Sequence, residues 1–512
     1  MTRLNIKWIL FSGAFILTSS YATAQTTSDA LRFSQTINGG TARFTSMGGA
    51  FGALGADFTS LSINPAGLGV YKSSEFTITP SFKHNSIKSA YNETNASDTK
   101  NRLSFDNVGL VLSFNPYKTD ERGIVNYNIG FGYNRTNDFN ANSYSKGNNN
   151  VNSIMDYFAE KASGYYYEDL FDDDNKTPFK NGVAPWDVIM AWNTYLLFDT
   201  IAGTNGTEYM PALLTGDGVV QKNIVNSKGG SGVYDISFAI NISNKLFIGA
   251  SLGISEFNYT YNATYKEDAF ESNPELSLGN RFYYMDYNQY YENSGTGYNF
   301  KIGGIYTPIS NIRIGLSIHT PTFYSFSEKY SYSMLSNFDI NGTETNSISK
   351  SPLGRYEYDF ETPFKLIGSF AYIFKNVGLI SLDVEHLDYS SMKFRNGGDG
   401  YSFTNENSAI ENTCKSVTNI RVGGEIKIKD FAIRAGYAFY PSPYKSGYLN
   451  ESSNTSQISG GFGYRSGGFS IDMAYLHTIK KEQYLFYDYN GLNPVETKMN
   501  DGKVLVTLGF RF

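Results

Sequence analysis

Cysteine, proline and tryptophan are scarce in this sequence, and long apolar runs are missing from most of it. Cys414 is the single cysteine among 512 residues, so no intramolecular disulfide can form. After Gln25 no stretch of about 18 apolar residues occurs, so we expect no membrane-spanning helix there. The net charge of −6 gives no basic field for nucleic acid, so we expect no nucleic-acid partner.

The abundant residues are those typical of β-structure. The chain has 41 Tyr, 38 Phe and 50 Gly, a mixture that favours twisted strands with aromatic belts and small residues on crowded faces. In a soluble protein this length would indicate several domains. A single closed transmembrane β-barrel can use all of it.

Residues 1–24 have the pattern of a secretory signal peptide. Arg3 and Lys7 precede an apolar stretch from Trp8 to Leu17, and Ala22-Thr23-Ala24 supplies small residues before a cleavage site. We therefore predict cleavage before Gln25. An uncleaved membrane anchor is the alternative, and the apolar stretch is short for a span.

Many later segments alternate between apolar residues and small or polar ones. In 246–255 one face reads Leu, Ile, Ala, Leu, Ile, and 312–318 and 433–439 repeat the pattern. A period of two indicates a strand with one apolar face. The other face is rich in Gly, Ser and Asn, which favours an antiparallel barrel with lipid outside and a crowded polar lumen. Fourteen such segments begin near Glu75, Leu103, Val125, Gly232, Lys245, Gly295, Asn311, Glu361, Val377, Val417, Asp430, Ser456, Gly468 and Gly502.

Short and long connections alternate between these segments. Short turns include 243–244, 308–310, 375–376 and 465–467, and polar stretches that we expect to be long extracellular loops cover 86–102, 139–231, 257–294, 323–360, 390–416, 441–455 and 480–501. This sorting by length is typical of outer-membrane barrels. The last strand, 504–512, ends on Phe512, which resembles the assembly signal of such barrels and implies the barrel-assembly machinery as a partner.

Residues 139–231 form a large insertion with two helix-like stretches. One covers Val151 to Ala162. The other starts at Pro185 and places Ile189, Trp192 and Leu196 on one face, close to Trp186. This face is either a groove for a substrate or the packing face of a folded loop.

Residues 41–75 closely resemble the amino-terminal plug of the FadL/TodX family of outer-membrane transporters. The resemblance rests on Met47-Gly48-Gly49-Ala50, Asp57 and the motif Asn64-Pro65-Ala66 followed by Gly67. It continues in 362–364, 381–383, 389–393, 419–425 and 434–437, and it is weak in the loops. It implies a plug at 25–74 inside a barrel at 75–512, with Asn64 to Gly67 shaping or gating the plug.

The same resemblance implies passive transport of hydrophobic molecules such as long-chain fatty acids. Ligand would be captured in an outer groove, held in a lumen pocket and released through a lateral gap in the wall, in contact with outer-membrane lipid and lipopolysaccharide. A ligand-capture receptor, for example for hemin, and a structural surface barrel remain alternatives. The ligand, the position of the gap and the lumen-pocket residues stay open.

No residue pattern indicates an enzyme, a cofactor or a metal site. The four histidines have no metal-ligand spacing. Ser317 and His319 share one face of a strand, but their side chains point in parallel rather than at each other. The run Asp172 to Asp174 could hold a calcium ion, although a solvated loop is the more ordinary role.

Overall fold

The computed structural model describes residues 25–37, 39–116, 122–171, 178–199, 206–213, 217–271, 281–375 and 377–512. The predicted signal peptide at 1–24 and the Asp172 to Asp174 run lie outside the described residues. Seven α-helices are present within these ranges: α1 Thr27–Ser34, α2 Ala42–Ser46, α3 Ile154–Ala162, α4 Tyr167–Leu170, α5 Pro178–Asn181, α6 Trp186–Asn193 and α7 Thr404–Thr413.

Strands dominate the rest of the described chain. They are β1 Glu75–Tyr91, β2 Thr94–Phe114, β3 Ile124–Asp138, β4 Ala141–Asn149, β5 Leu197–Asp199, β6 Tyr209–Pro211, β7 Val219–Ile242, β8 Leu246–Ala269, β9 Arg281–Ile309, β10 Ile312–His319, β11 Phe323–Ile340, β12 Thr343–Lys350, β13 Gly354–Glu361, β14 Lys365–Phe374, β15 Gly378–Asp388, β16 Lys393–Arg395, β17 Ser416–Ile428, β18 Phe431–Tyr440, β19 Thr455–Ser466, β20 Phe469–Tyr484 and β21 Val495–Arg511.

Nineteen of these strands form one closed antiparallel barrel of fourteen spans with its extensions, and β5 and β6 form a separate two-stranded sheet. Strand β3 continues into β4, β10 continues into β11, and β13 continues into β14, so each pair makes a single span. Closure occurs where β1 pairs with β21, with Phe76 opposite Phe510. The fold class and the count of fourteen spans are therefore confirmed. Both ends of the sheet lie at the short-turn end, where Ser243 and Asn244 take positive φ in a tight hairpin.

An apolar belt surrounds the outside of the barrel. On β8 the outward positions from Leu246 to Ile254 are apolar, and from Glu256 onward they are polar. On β11 the outward apolar residues end at Phe323. A belt of about nine residues per strand matches the hydrocarbon thickness of a bilayer, so the chain is a multi-pass β-barrel of an outer membrane. No helix among the described residues is long and apolar enough to cross a membrane.

Several of the polar stretches expected to be long extracellular loops consist mainly of extended strands. Stretch 86–102 is the upper part of a β1–β2 hairpin that turns at Asn92 and Glu93. Within 257–294 and 323–360, most residues extend β8, β9, β11 and β13. The apolar face ends where the membrane ends, but the hydrogen-bonded ladder continues into water. Alternating hydrophobicity therefore marks only the membrane-spanning half of each strand.

The 139–231 insertion adds β4, the upper part of β7 and a helical cap over the extracellular end of the lumen. Helices α3 and α6 pack against each other and against buried wall residues such as Tyr265, Met285 and Met334. The first helix-like stretch of the sequence is confirmed, since α3 lies within 151–162. The second is confirmed in part, since α6 begins directly after Pro185 but ends at Asn193, before Leu196. We refer to residues 151–213 as the cap.

Residues 25–37 and 39–71 lie inside the barrel. Most of their side chains are buried, and they contact strands on opposite sides of the wall. Examples are the backbone of Phe51, which meets Asp383 of β15, and the backbone of Ala42, which meets Thr507 of β21. The predicted plug inside the lumen is thus confirmed as part of the fold. Below, "plug" means residues 25–74.

Candidate functional site

The Asn-Pro-Ala turn ties the plug to itself and to the wall. The Asn64 side chain accepts a hydrogen bond from the backbone N–H of Ala66 at 3.0 Å, which caps a 3₁₀ turn at 65–70. Its Nδ2 donates to the carbonyl oxygens of Gly52 at 2.8 Å and of Gly304 at 3.1 Å. Pro65 has no N–H to satisfy and fixes φ at the first position of the turn, where proline is favoured.

Ala66 and Gly67 need to be small. Ala66 is fully buried and packs against Phe247 and Ile305 of the wall. A Cβ atom on Gly67 would lie 2.6 Å from the Ser60 hydroxyl, inside the plug. These contacts make the turn a fitted connection between plug and wall. The sequence-based gating role of Asn64 to Gly67 is untested by these contacts and stays a prediction.

The opposite side of the plug rests on the second set of motif residues. Asp383 accepts hydrogen bonds from the backbone N–H groups of Phe51 and Gly52 at 3.0 Å. Gly423 and Gly436 face the backbone at Met47, where an added Cβ would come within 2.3 Å of a backbone atom. The motifs at 381–383, 419–425 and 434–437 are therefore the wall's docking surface for the plug.

Buried ion pairs hold the short-turn end of the plug. Glu425 accepts from Arg43 of α2 at 3.2 Å and from Arg434 of β18 at 2.6 Å, and Arg434 also contacts Asp472 at 2.5 Å. Charges that are this deeply buried are stable only when they are paired in this way. Removing one partner would leave an uncompensated charge, so this network fixes α2 firmly.

The wall has a seam between β2 and β3. These strands pair only from Asn107–Asn134 down to Phe114–Tyr127. Above that point, residues 94–106 pair with β1 alone, and the chain from Arg135 upward pairs with β7. Within these strands, which the structure describes throughout, no β2–β3 ladder pair lies above Asn107.

A β-bulge accompanies the start of the seam. Thr136 is an extra residue in β3, because Arg135 pairs with Gly232 and Asn137 with the adjacent Ser231. Bulges bend and twist a strand, so β3 turns away from β2 here. Outward-facing Phe105 is 55% exposed, which places the start of the seam within the apolar belt.

The plug takes the place of the missing strand partner. The backbone N–H of Ile37 donates to the Thr136 carbonyl at 3.0 Å, and that of Gly39 donates to the Arg135 carbonyl at 2.8 Å. The Arg135 guanidinium then donates to the Phe105 carbonyl at 3.2 Å, across the seam. Backbone groups that would otherwise be orphaned inside a membrane wall are thereby satisfied.

A cavity of about 370 Å³ lies between the plug and the wall beside this seam. Its apolar lining includes Leu31 and Ile37 of the plug with Phe139, Leu476 and Met499 of the wall and loops. Its charged lining comes from strands next to the seam. Lys83 lies 3.0 Å from Asp501 and 3.8 Å from Asp138, and Arg135 and Lys503 both pair with Asp106. The cavity is therefore amphipathic, with its charges already paired.

The face predicted in the cap is mainly a packing face. Ile189 and Leu196 are fully buried in the apolar core of the cap. Trp186 and Trp192 are partly buried, and they contact Tyr330 of the wall and Tyr209 of the cap respectively. The four residues do not share one open groove, because Ile189 and Leu196 expose no surface to solvent.

Phe512, Ser317 and His319 each form a hydrogen bond with a backbone carbonyl group. Phe512 is 70% exposed, and its backbone N–H donates to the Ser74 carbonyl at 3.1 Å. The Ser317 hydroxyl donates to the Ile302 carbonyl, and His319 Nε2 lies 2.9 Å from the Ile63 carbonyl oxygen. Ser317 and His319 each have their own structural partner.

Comparison with known proteins supports the fold but gives no match at the level of sequence families. No protein-family profile matches the sequence, and no curated protein sequence matches it. Among solved structures, a Pseudomonas aeruginosa FadL homologue is 11% identical to this chain with a TM-score of 0.54. The alignment covers 94% of this chain and 100% of the homologue. The Pseudomonas putida toluene transporter TodX is 14% identical with a TM-score of 0.52, and covers 93% and 99%.

Proposed function

We propose that this chain, which has the plugged barrel fold of the FadL/TodX transporters, passes small hydrophobic molecules across the outer membrane by a passive route. The observation that carries the proposal is the seam between β2 and β3 beside the lumen cavity. A barrel that served only as a surface scaffold would gain nothing from an interrupted ladder inside the membrane, because backbone groups without a strand partner there need substitute partners, which the plug and Arg135 supply here. Transfer down an apolar gradient needs no nucleotide or ion.

We place the lateral exit at this seam, above the Asn107–Asn134 pair. The plug segment at Gln35, Ile37 and Gly39 covers the gap from inside through two backbone hydrogen bonds and two more with the Asn137 side chain. These bonds are fewer than a continuous paired strand provides, so we take this segment as the part of the wall that opens. A molecule in the cavity would then pass between Phe105 and Arg135 into the lipid.

Entry begins at the cap. Tyr167 and Tyr195 are exposed beside Trp192, which is partly buried, and together they form an aromatic surface on the extracellular side. We assign first capture of the ligand to this surface. It shares Trp192 with the face predicted from Trp186, Ile189, Trp192 and Leu196, and it leaves out Ile189 and Leu196 because their side chains belong to the core of the cap.

The transport test uses the purified barrel in vesicles whose outer leaflet is lipopolysaccharide, which slows direct entry of apolar molecules, with radiolabelled toluene and, separately, palmitate as probes and protein-free vesicles as the background. Deleting Thr136 removes the bulge, and β3 can then continue its ladder beside β2. We expect uptake per correctly inserted barrel to fall severalfold. Deleting Val125, the extra residue of the other bulge in the β3–β7 pair, is the matched control because it lies at the short-turn end.

Equal uptake by the two deletion variants would contradict the lateral exit. Lack of uptake of both probes by the unaltered protein would contradict hydrophobic transport. Retention of added hemin by the unaltered protein, without release into the vesicle membrane, would favour the ligand-capture alternative instead.

A further inference from the structure

Glu328 of β11 is a buried carboxylate without a cationic partner among the described residues. It is fully buried, and it lies above the membrane belt, which ends at Phe323 on this strand. Its Oε2 accepts from the Tyr291 hydroxyl at 3.1 Å, and the nearby Tyr358 hydroxyl also acts to lower the pKa of Glu328, while Oε1 has no partner within hydrogen-bond distance. None of the ion pairs among the described residues involves Glu328.

The electrostatic surroundings make this isolation costly. Burial and the nearby Asp29 carboxylate raise the pKa of Glu328 above its ordinary value. Asp29 has a partner of its own, because it pairs with Arg32, whose guanidinium lies 4.3 Å from the centre of the Tyr259 ring. A buried acid without a cation is an unusual feature, and it usually has a partner or a function.

The second contact to Glu328 comes from Gln25. The Gln25 side-chain amide donates to Glu328 Oε2 at 3.0 Å, and Gln25 is only 8% exposed. Gln25 directly precedes Thr26, which caps α1 together with Asp29. Gln25 is also the residue that the Ala22-Thr23-Ala24 pattern predicts as the first of the processed chain.

We propose that Glu328 is the internal binding site for the α-ammonium group that signal-peptide removal creates at Gln25. The Gln25 side-chain amide already reaches the carboxylate, so the backbone nitrogen of the same residue is one side chain away from it, and Glu328 Oε1 accepts no other hydrogen bond. The pair would compensate the buried charge and hold α1 in the upper lumen. In the processed chain this ion pair would hold the first turn of α1 against β11. In an unprocessed chain the Gln25 nitrogen is an uncharged amide and cannot form the pair.

The test measures the reactivity of the Gln25 amine in protein purified from the outer membrane. Mass spectrometry of the amino-terminal peptide should first show a free Gln25. An amine-reactive acetylating reagent is then applied across a pH series to the native protein and to the denatured protein. Pairing with a carboxylate should raise the α-ammonium pKa by about one unit, so that labelling at neutral pH slows about tenfold relative to the denatured chain.

Glu328→Gln should restore rapid labelling, and Glu292→Gln is the matched control. Glu292 lies on neighbouring β9 and pairs with Lys329 on the outside of the wall. Slow labelling in both variants would show that burial alone protects the amine, and would overturn the proposal. An amino terminus other than Gln25, or a cyclised and uncharged Gln25, would overturn it as well.

The unaltered protein gives an independent readout if Glu328→Gln fails to assemble. Its labelling rate must follow a raised amine pKa across the pH series, whereas simple burial lowers the rate at every pH and does not raise the midpoint. A lowered midpoint would overturn the proposal. An unmoved midpoint would also overturn the proposal. None of these outcomes depends on transport.

Discussion

The side-chain amide of Asn64 donates a hydrogen bond to the carbonyl oxygen of Gly304, and this bond joins the plug to the barrel wall. The two residues are 240 positions apart in sequence. The bond forms between β9 and a turn that Pro65 holds in shape. Four experiments test this connection, the Asn-Pro-Ala turn, the attachment of the cap and the carboxy-terminal residue.

Replacing Gly303 with Ala should loosen the plug, because a Cβ there would lie 2.0 Å from Asn64 Oδ1. Such a clash forces either the amide or the strand to shift and costs about 1–3 kcal/mol. The readout is protease cleavage within the plug of the folded barrel, which should become faster. Gly304→Ala is the control, since the nearest atom to its Cβ is the Phe247 carbonyl oxygen at 3.7 Å. Equal cleavage in the two variants would mean that the Asn64 contact does not hold the plug.

Replacing Ala66 with Leu should reduce uptake of a hydrophobic probe while the barrel still assembles. Ala66 has no free volume between Phe247 and Ile305, so a larger side chain must displace the plug and not the closed wall. The quantity to compare is uptake per correctly inserted molecule. Ala250→Leu, on the outward face of β8, is the control. An unchanged ratio would remove the gating role of the motif and leave it as a structural turn.

Replacing Glu267 with Gln should loosen the cap. Glu267 accepts hydrogen bonds from the Ser153 hydroxyl, from the Ile154 backbone at 2.9 Å and from the Tyr265 hydroxyl at 2.6 Å. The side-chain NH₂ of a glutamine is a donor, and it would face the donor groups that now bind the carboxylate. The exchange therefore leaves buried groups without partners and lowers the stability of the cap by about 1–3 kcal/mol.

Hydrogen exchange of the first-turn amides of α3 measures this loosening. It should speed up in Glu267→Gln and stay unchanged in Asp268→Asn, which alters the adjacent carboxylate that pairs with Lys222. If both variants exchange at the rate of the unaltered protein, Glu267 does not fasten the cap.

Replacing Phe512 with Ala should lower the amount of inserted barrel but leave the stability of the finished barrel nearly unchanged. The ring is 70% exposed and therefore buries little surface against the protein. Outer-membrane levels and the midpoint of thermal unfolding are the two measurements. Phe510→Ala should instead affect stability, because Phe510 packs on Phe469 with ring centres 5.5 Å apart. Normal levels of Phe512→Ala would show that the terminal aromatic is no assembly signal.

The sequence by itself determined the barrel, its fourteen spans and the plug. In a membrane, each lipid-facing position must be apolar, and this requirement appears directly as a period of two, as in 246–254. The turn at Asn64-Pro65-Ala66 was also visible, because proline and its neighbours act on the local backbone. Helices α3 and α6 were visible from their spacing of apolar residues.

Only the tertiary structure decided the seam, the cavity and the length of the wall. The seam depends on whether β2 and β3 pair, and pairing between strands leaves no mark on the alternation of either strand. The cavity collects Leu31, Lys83, Asp106 and Lys503 from distant parts of the chain. From Glu256 onward the outward face of β8 is polar and meets water, so the alternation that marks a lipid-facing strand ends while the ladder continues. Membrane contact constrains the sequence residue by residue, whereas the closing of strands around a plug is a property of the assembled barrel alone.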